Sequence, residues 1–195
     1  LLIDKPVDWT SHDVVGYLRG ALKIKKIGHA GTLDPFATGL LIVGVGREAT
    51  KRLDEFKALP KEYEAVIRLG AVSDTQDRTG TITRHESHNT SQIYREQLAD
   101  TLKKFVGKQK QIPPMYSAKK VGGKKLYELA RKGKEIEREP VEIEIYELEL
   151  LHVIPSAAEG SRSVSNIFDQ SIQSFTTRVS CSTGTYIRTL AHDIG

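Results

Sequence analysis

"GHAGTLDPFATGLLIVGVG", residues 28–46, sets a single carboxylate, Asp34, between Leu33 and Pro35, with glycines at 28, 31 and 39 and an apolar run behind it. The run at 39–46 is continuous and suits an interior strand. Pro35 fixes its own φ and restricts the backbone of Asp34, while the glycines allow a tight turn and close approach by a partner. An ordinary aspartate has a pKa of about 3.9, so at neutral pH it is a poor general acid or base but a ready nucleophile. The residues alone support two readings of Leu33-Asp34-Pro35: a fixed nucleophile, or an Asx-Pro turn that leads into a buried strand.

The flanking sequence supplies the fold class. Upstream, "LLIDKP" (1–6) reads as a short buried strand stopped by Pro6. "WTSHDVVGYLRGALKI" then carries a cap at Thr10 or Ser11, an acid at Asp13, and apolar residues at 14, 15, 18, 21 and 22, which is a helix with one buried face. Downstream, "YEAVIRLG" (63–70) is a strand and "SDTQDRTG" (73–80) a polar connection. Apolar positions 94, 98, 102, 105 and 106 predict a helix over 90–106, closed by Gly107. Residues 111–140 break the rhythm with two consecutive prolines, a basic glycine turn and a short helix stopped at Gly133, and read as an excursion from the core. "VEIEIYELELLHV" (141–153) alternates as a half-solvated strand, 155–173 is serine-rich and reads as mobile, "FTTRVSCS" (175–182) is a strand, and "GTYIRTLAHDIG" opens a final helix. Strands outnumber helices and do not alternate with them as βαβ units. The expected class is therefore α+β with a mostly antiparallel sheet.

Composition bounds the chemistry. A chain of 195 residues, 38% apolar and 28% charged, suits one hydrophobic core or a core with a small appendage. No apolar run approaches the roughly 20 residues of a membrane helix, and no leader opens the chain. Leu1 in first place and a helix that breaks off at Gly195 read as a chain trimmed at both ends. A lone cysteine, Cys181, precludes an internal disulfide and fits a reducing cytoplasm. The net charge of +4 is small, but lysines gather at 23, 25 and 26, at 103, 104, 108 and 110, and at 119, 120, 124 and 125. These clusters form either a basic surface for an acidic partner or solvated helix ends and loops. The six histidines show no metal spacing, and there is no phosphate-cradling G-x-x-x-x-G-K-[ST] and no G-x-S-x-G elbow. Metalloenzyme, kinase and hydrolase readings all lack their parts.

"GHAGTLDPFATGLLIVGVGREATK" closely resembles the catalytic motif of the TruB family of tRNA pseudouridine synthases. "LLIDKPVDWTSHDVV" is similar to the family's lysine-proline motif, "KEYEAVIRLGAVSDTQDRTG" to its tyrosine-bearing strand, "QIPPMYSAKKVGGKKLYELARKG" to its RNA-gripping insertion and "CSTGTYIRTLAHDIG" to its arginine motif. The blocks occur in the family's order and cover most of 1–153 and 179–195.

The resemblance implies a pseudouridine synthase fold: a mixed, mostly antiparallel sheet flanked by helices, with 1–195 as one catalytic domain incomplete at its C-terminus and 111–140 as a thumb. It implies isomerisation of uridine 55 in the tRNA T loop to pseudouridine, without cofactor, metal, membrane or obligatory protein partner; a monomer is the default expectation, and the lone cysteine places the protein in the cytoplasm. Asp34 matches the family's nucleophile, Arg188 the arginine paired with it, and Tyr63 the tyrosine that stacks on the target base. His29 matches a histidine beside the vacated base and Tyr186 a second pocket residue, both binding substrate, and Lys5, with Pro6 next to it, either contacts the substrate or supports the site from behind. Lys124 and Lys125 fall in the segment that grips RNA. Two alternatives accompany this reading: a non-catalytic tRNA-binding or folding module of the same fold, and the archaeal and eukaryotic form that modifies rRNA under guide RNAs.

Overall fold

The structure is a computed structural model that describes residues 1–84, 95–117, 119–155 and 172–195. It divides into two compact units, residues 1–59 and 60–195. Among the described residues every strand pairing in both is antiparallel, as the lack of βαβ alternation predicts. Among the described residues no helix is long and apolar enough to cross a membrane.

In the first unit, β1 (Leu2–Lys5), α1 (Ser11–Leu22), β2 (Ile27–His29), β3 (Gly39–Val45), α2 (Arg47–Lys51) and α3 (Leu53–Lys57) follow in order. The apolar run at 39–46 is indeed interior in the sheet: β3 is central, in the order β1-β3-β2. Its side chains still alternate across the pleat, so Leu41 and Val43 are buried while Leu40 is exposed. The predicted buried strand at the N-terminus is only half right. Ile3 packs against the core, but Leu2 is 73% exposed, and the fully buried side chain at the strand's end is Lys5. Helix α1 begins where the cap signal places it: Thr10 caps the Asp13 N–H at 3.1 Å, and Asp13 Oδ2 accepts from the Thr10 N–H at 2.8 Å. Val14 and Val15 then meet Ile27, Leu41 and Val43 in one cluster.

The second unit contains β4 (Lys61–Arg68), β5 (Ala71–Ser73), β6 (Ile82–Arg84), α4 (Arg95–Lys104), β7 (Gly107–Gln111), β8 (Lys120–Val121), β9 (Lys124–Lys125), α5 (Leu126–Ala130), β10 (Val141–Pro155), β11 (Ile172–Cys181) and α6 (Ile187–Ile194). Its main sheet runs β4-β11-β10-β7. The "polar connection" at 73–80 is the tip of a β5–β6 hairpin, a pairing invisible to strand periodicity because each arm has only three residues. Segment 111–140 forms a small hairpin, β8–β9, followed by α5, whose turn closes where Gly133 takes φ +65°. Helix α4 buries Leu98 and Leu102 as its spacing predicts, while the expected first residues of that helix, 90–94, lie outside the described residues. Most of the serine-rich stretch, 156–171, lies outside them too, and β11 begins at Ile172, three residues earlier than the sequence suggests. Two clusters build the core: Ile67, Leu98, Leu102 and Phe175 in one, Ile145, Val179, Cys181 and Leu190 in the other.

Candidate active site

Asp34 sits on a loop held on both sides of it. On one side the Leu33 N–H donates to Ser11 Oγ at 3.0 Å, and that hydroxyl lies 3.4 Å from the Leu33 carbonyl. On the other the Pro35 carbonyl accepts from the Asp8 N–H at 2.8 Å and from Lys5 Nζ at 3.1 Å. The Ala37 N–H closes the turn on the Asp34 carbonyl at 3.1 Å. Gly31 (φ +106°) and Gly39 (φ +115°) bracket the loop in conformations that an L side chain rarely adopts. Asp34 itself is half-buried and engaged in an interaction of its own.

Lys5 is the keystone of this loop. Its ammonium is fully buried and donates to the carbonyls of Pro6 (2.8 Å), Trp9 (2.6 Å) and Pro35 (3.1 Å), so three protons meet three acceptors. Burial pushes this amine below the usual lysine range, and Asp8, Asp34 and Asp13 act against the shift by Coulomb attraction. His29, the last residue of β2, turns its Nδ1 onto the Gly31 carbonyl and so stiffens the approach to the loop.

The second unit carries Arg188, Tyr63, Tyr186, Lys124 and Lys125. Arg188 lies in the first turn of α6, its side chain only 9% exposed. Nη1 donates to the Thr75 carbonyl at 3.0 Å and to Asp77 Oδ2 at 3.2 Å, and Nη2 donates to the Tyr116 carbonyl at 2.9 Å. The guanidinium plane is thereby fixed by three groups from two loops.

Asp77 is the residue that sequence reasoning passed over as part of a polar connection. Its Oδ1 accepts from Thr75 Oγ1 (2.8 Å), the Thr79 N–H (2.8 Å) and Thr79 Oγ1 (2.6 Å), while Oδ2 faces Arg188. Burial alone pushes this carboxyl upward. The Thr79 and Thr75 hydrogen bonds and the Arg188 charge together outweigh that, and it rests below the usual carboxylate range. The Asp-x-Thr spacing of residues 77–79, a side chain that can accept from the backbone two residues on, was the available signal. A Cβ at Gly80 beside it would collide with Asp74 Oδ1 and Thr75 Oγ1, and those side chains would have to turn aside to admit it.

Tyr186 is the N-cap of α6, and its backbone is clamped by the buried Gln111 at the end of β7: Oε1 accepts from the Tyr186 N–H at 2.8 Å and Nε2 donates to its carbonyl at 3.0 Å. Sequence reading missed Gln111, which looks like any polar residue of "GKQKQ" until its 3% exposure is known. Thr189 Oγ1 donates to Gln76 Oε1 at 2.8 Å, a second tie between α6 and the hairpin tip. Tyr63, opposite Val179 on β11, is half-buried and packs against the cluster of Ile145, Val179, Cys181 and Leu190. Lys124 is exposed on the β8–β9 hairpin, and Lys125 Nζ donates to Tyr127 Oη at 3.1 Å, which raises its pKa. Among the described residues no three His, Cys, Asp or Glu side chains stand close enough to hold a metal ion.

Comparison with known proteins identifies the family. The family model described as "TruB family pseudouridylate synthase (N terminal domain)" matches residues 19–187. A protein of Geobacter sulfurreducens named tRNA pseudouridine synthase B is 45% identical over 195 residues, all of this chain and 58% of that protein. Its namesake in Symbiobacterium thermophilum is 47% identical over 98% of this chain and 58% of its own length. The chain thus spans a little over half the length of these relatives. Among solved structures, a Cbf5-Nop10-Gar1 complex matches with a TM-score of 0.67 at 26% identity, over all of this chain and 43% of the other. An H/ACA RNP bound to a substrate RNA containing 2'-deoxyuridine matches with a TM-score of 0.64 at 23% identity, over all of this chain and 41% of the other, a likeness of fold. With the family model covering most of its length, the chain belongs to the TruB family of pseudouridylate synthases.

Proposed function

We propose that the full protein isomerises uridine 55 in the T loop of tRNA to pseudouridine, with Asp34 as nucleophile, working in the cytoplasm as a monomer without a protein partner. In the reaction the C1′–N1 glycosidic bond breaks, the uracil turns, a C1′–C5 bond forms, and the C5 proton leaves while N1 regains one. Nothing is oxidised or reduced, and no group is transferred between molecules. The uridine must first leave its loop, at a cost of a few kcal/mol, and stacking on an aromatic ring returns about 1–3 kcal/mol. Tyr63 supplies that ring, Tyr186 lines the pocket, and His29 fills the space left by the base. Arg188 holds the Asp34 carboxylate ionised and aimed, and residues 111–140, with Lys124 and Lys125, grip the RNA as a thumb.

The observation that carries this reading is the double clamp on the Asp34 loop: both neighbours of one carboxylate are tied to side chains or backbone 22 to 30 residues away. An Asx-Pro turn that merely leads into a strand has no need of a buried ammonium beneath it. Nucleophilic catalysis does, because misplacement of the attacking atom by an ångström costs about a hundredfold in rate. The names of the relatives, tRNA pseudouridine synthase B, support the substrate class.

The test uses full-length protein and an unmodified tRNA transcript, with pseudouridine mapped by chemical labelling. Asp34→Asn is expected to abolish product while tRNA affinity stays within about tenfold, roughly 1.4 kcal/mol. Normal turnover by that variant would remove Asp34 from the chemistry.

A further inference from the structure

The first unit holds a cleft of about 600 Å³ between α1, β2 and the α2–α3 pair. Arg19, Lys26 and Lys57 line it together with His12 and His29, and no carboxylate does. In a chain with 25 acids against 29 lysines and arginines, a lining with three full cations and no acid is a local excess of positive charge. Arg19 is held in place, its Nη2 donating to the Ile27 carbonyl at 3.0 Å. Lys57 pairs with Asp54 at 2.7 Å, but Asp54 is 85% exposed and outside the lining, and such a surface pair holds a lysine only weakly. Toward Asp34 the cleft reaches Gly31 and Thr32, the latter two residues before Asp34, and at Gly31 a Cβ would meet nothing within 4 Å, so the backbone there lies open to approach.

We infer that this cleft seats the sugar–phosphate backbone of the substrate RNA beside the target uridine, with Lys26 and Arg19 as its phosphate contacts. The inference rests on the proposed function, since a base presented to Asp34 brings its flanking backbone across the adjoining surface. Buried apolar side chains, Val15, Ile27 and Leu53, floor the cleft under the basic rim. That pairing suits a ribose against the floor and a phosphodiester at the rim better than it suits a small hydrated anion. The cluster is separate from the lysines of the β8–β9 hairpin and belongs to the other unit.

Filter binding of full-length protein to unmodified tRNA across a salt series tests it. Lys26→Glu is expected to weaken binding by about fivefold or more and to lower the salt slope by about one, the share of one lost phosphate contact. Lys51→Glu, an equally drastic change on α2 at a residue 58% exposed and outside the lining, is expected to weaken binding by less than about twofold. Equal losses from the two variants, or no loss from Lys26→Glu, would overturn the inference. Tight saturation of the Gly31 amide resonance by inorganic phosphate, with tRNA affinity indifferent to Lys26→Glu, would make the cleft a small-anion pocket and also overturn it. Pseudouridine formation by the wild type separates the two readings. Product with an unchanged Lys26 slope sinks the cleft alone, whereas no product with a Lys26-specific loss sinks the role of Asp34 and keeps the RNA contact.

Discussion

Arg188 and Asp77 form the sharpest electrostatic feature of the second unit, a pair at 3.2 Å with side chains 9% and 8% exposed. Breaking such a buried pair by removing one member typically costs about 3–5 kcal/mol. Asp77→Asn keeps the shape and most of the hydrogen-bond acceptors, so a loss on the order of 3 kcal/mol in urea denaturation at pH 7 is expected. The pH dependence follows from the sign of the shift. Asp77 titrates below its ordinary value in the folded chain, so the folded state binds fewer protons than the unfolded one. Its stabilising contribution is complete above about pH 4 and fades as the pH falls through the lower folded value. Urea midpoints of wild type and Asp77→Asn should therefore draw together on acidification, and a gap that does not narrow at all as the pH falls would show that the Asp77 charge is not what stabilises the pair. Asp34 stood out in the sequence because a motif marks it. Asp77 did not, because its meaning lies in an arginine 111 residues away.

At the scale of elements, α1 and α6 begin in different ways. Helix α1 is capped by its own sequence through the reciprocal Thr10–Asp13 pair, and its first residue is legible from "TSHD". Helix α6 has no side-chain cap of its own, and the carboxamide of Gln111 on β7 holds the Tyr186 N–H and carbonyl instead. Gln111→Ala strands a part-buried N–H, whereas the Tyr186 carbonyl keeps its bond from the Leu190 N–H at 3.0 Å. A loss of about 1–3 kcal/mol is expected in thermal or chemical denaturation, with faster hydrogen exchange at the Tyr186 amide. Unchanged exchange there would mean that α6 starts without the strand's help. The β5–β6 hairpin and the two short helices after β3 were beyond sequence reading for a common reason: elements of three to five residues carry too few positions to show a period.

For the whole molecule, charge placement decides more than net charge. A surplus of four positive charges over 195 residues says little, but the lysines of the β8–β9 hairpin and the basic cleft of the first unit concentrate it. On the proposed function, replacing Lys124 and Lys125 together by Ala should weaken tRNA binding and lower its salt slope by up to about one per lost phosphate contact. Lys125 also donates to Tyr127 and lies 5.3 Å from its ring centroid, so the Lys124→Ala single change isolates the electrostatic part. A salt slope unmoved by the double change would take the hairpin out of the RNA interface.

The sequence by itself determined the antiparallel α+β class, the order of the long elements, the start of α1 and the turns that glycine must occupy, because each of these depends on side chains within a few residues of one another. Tertiary structure alone decided that Lys5 is buried beneath the Asp34 loop, that Asp77 faces Arg188 and that Gln111 starts a helix it does not belong to. A lysine, an aspartate and a glutamine are ordinary surface residues in any local window. Burial and a distant partner change what they do, and neither is written in the neighbouring letters.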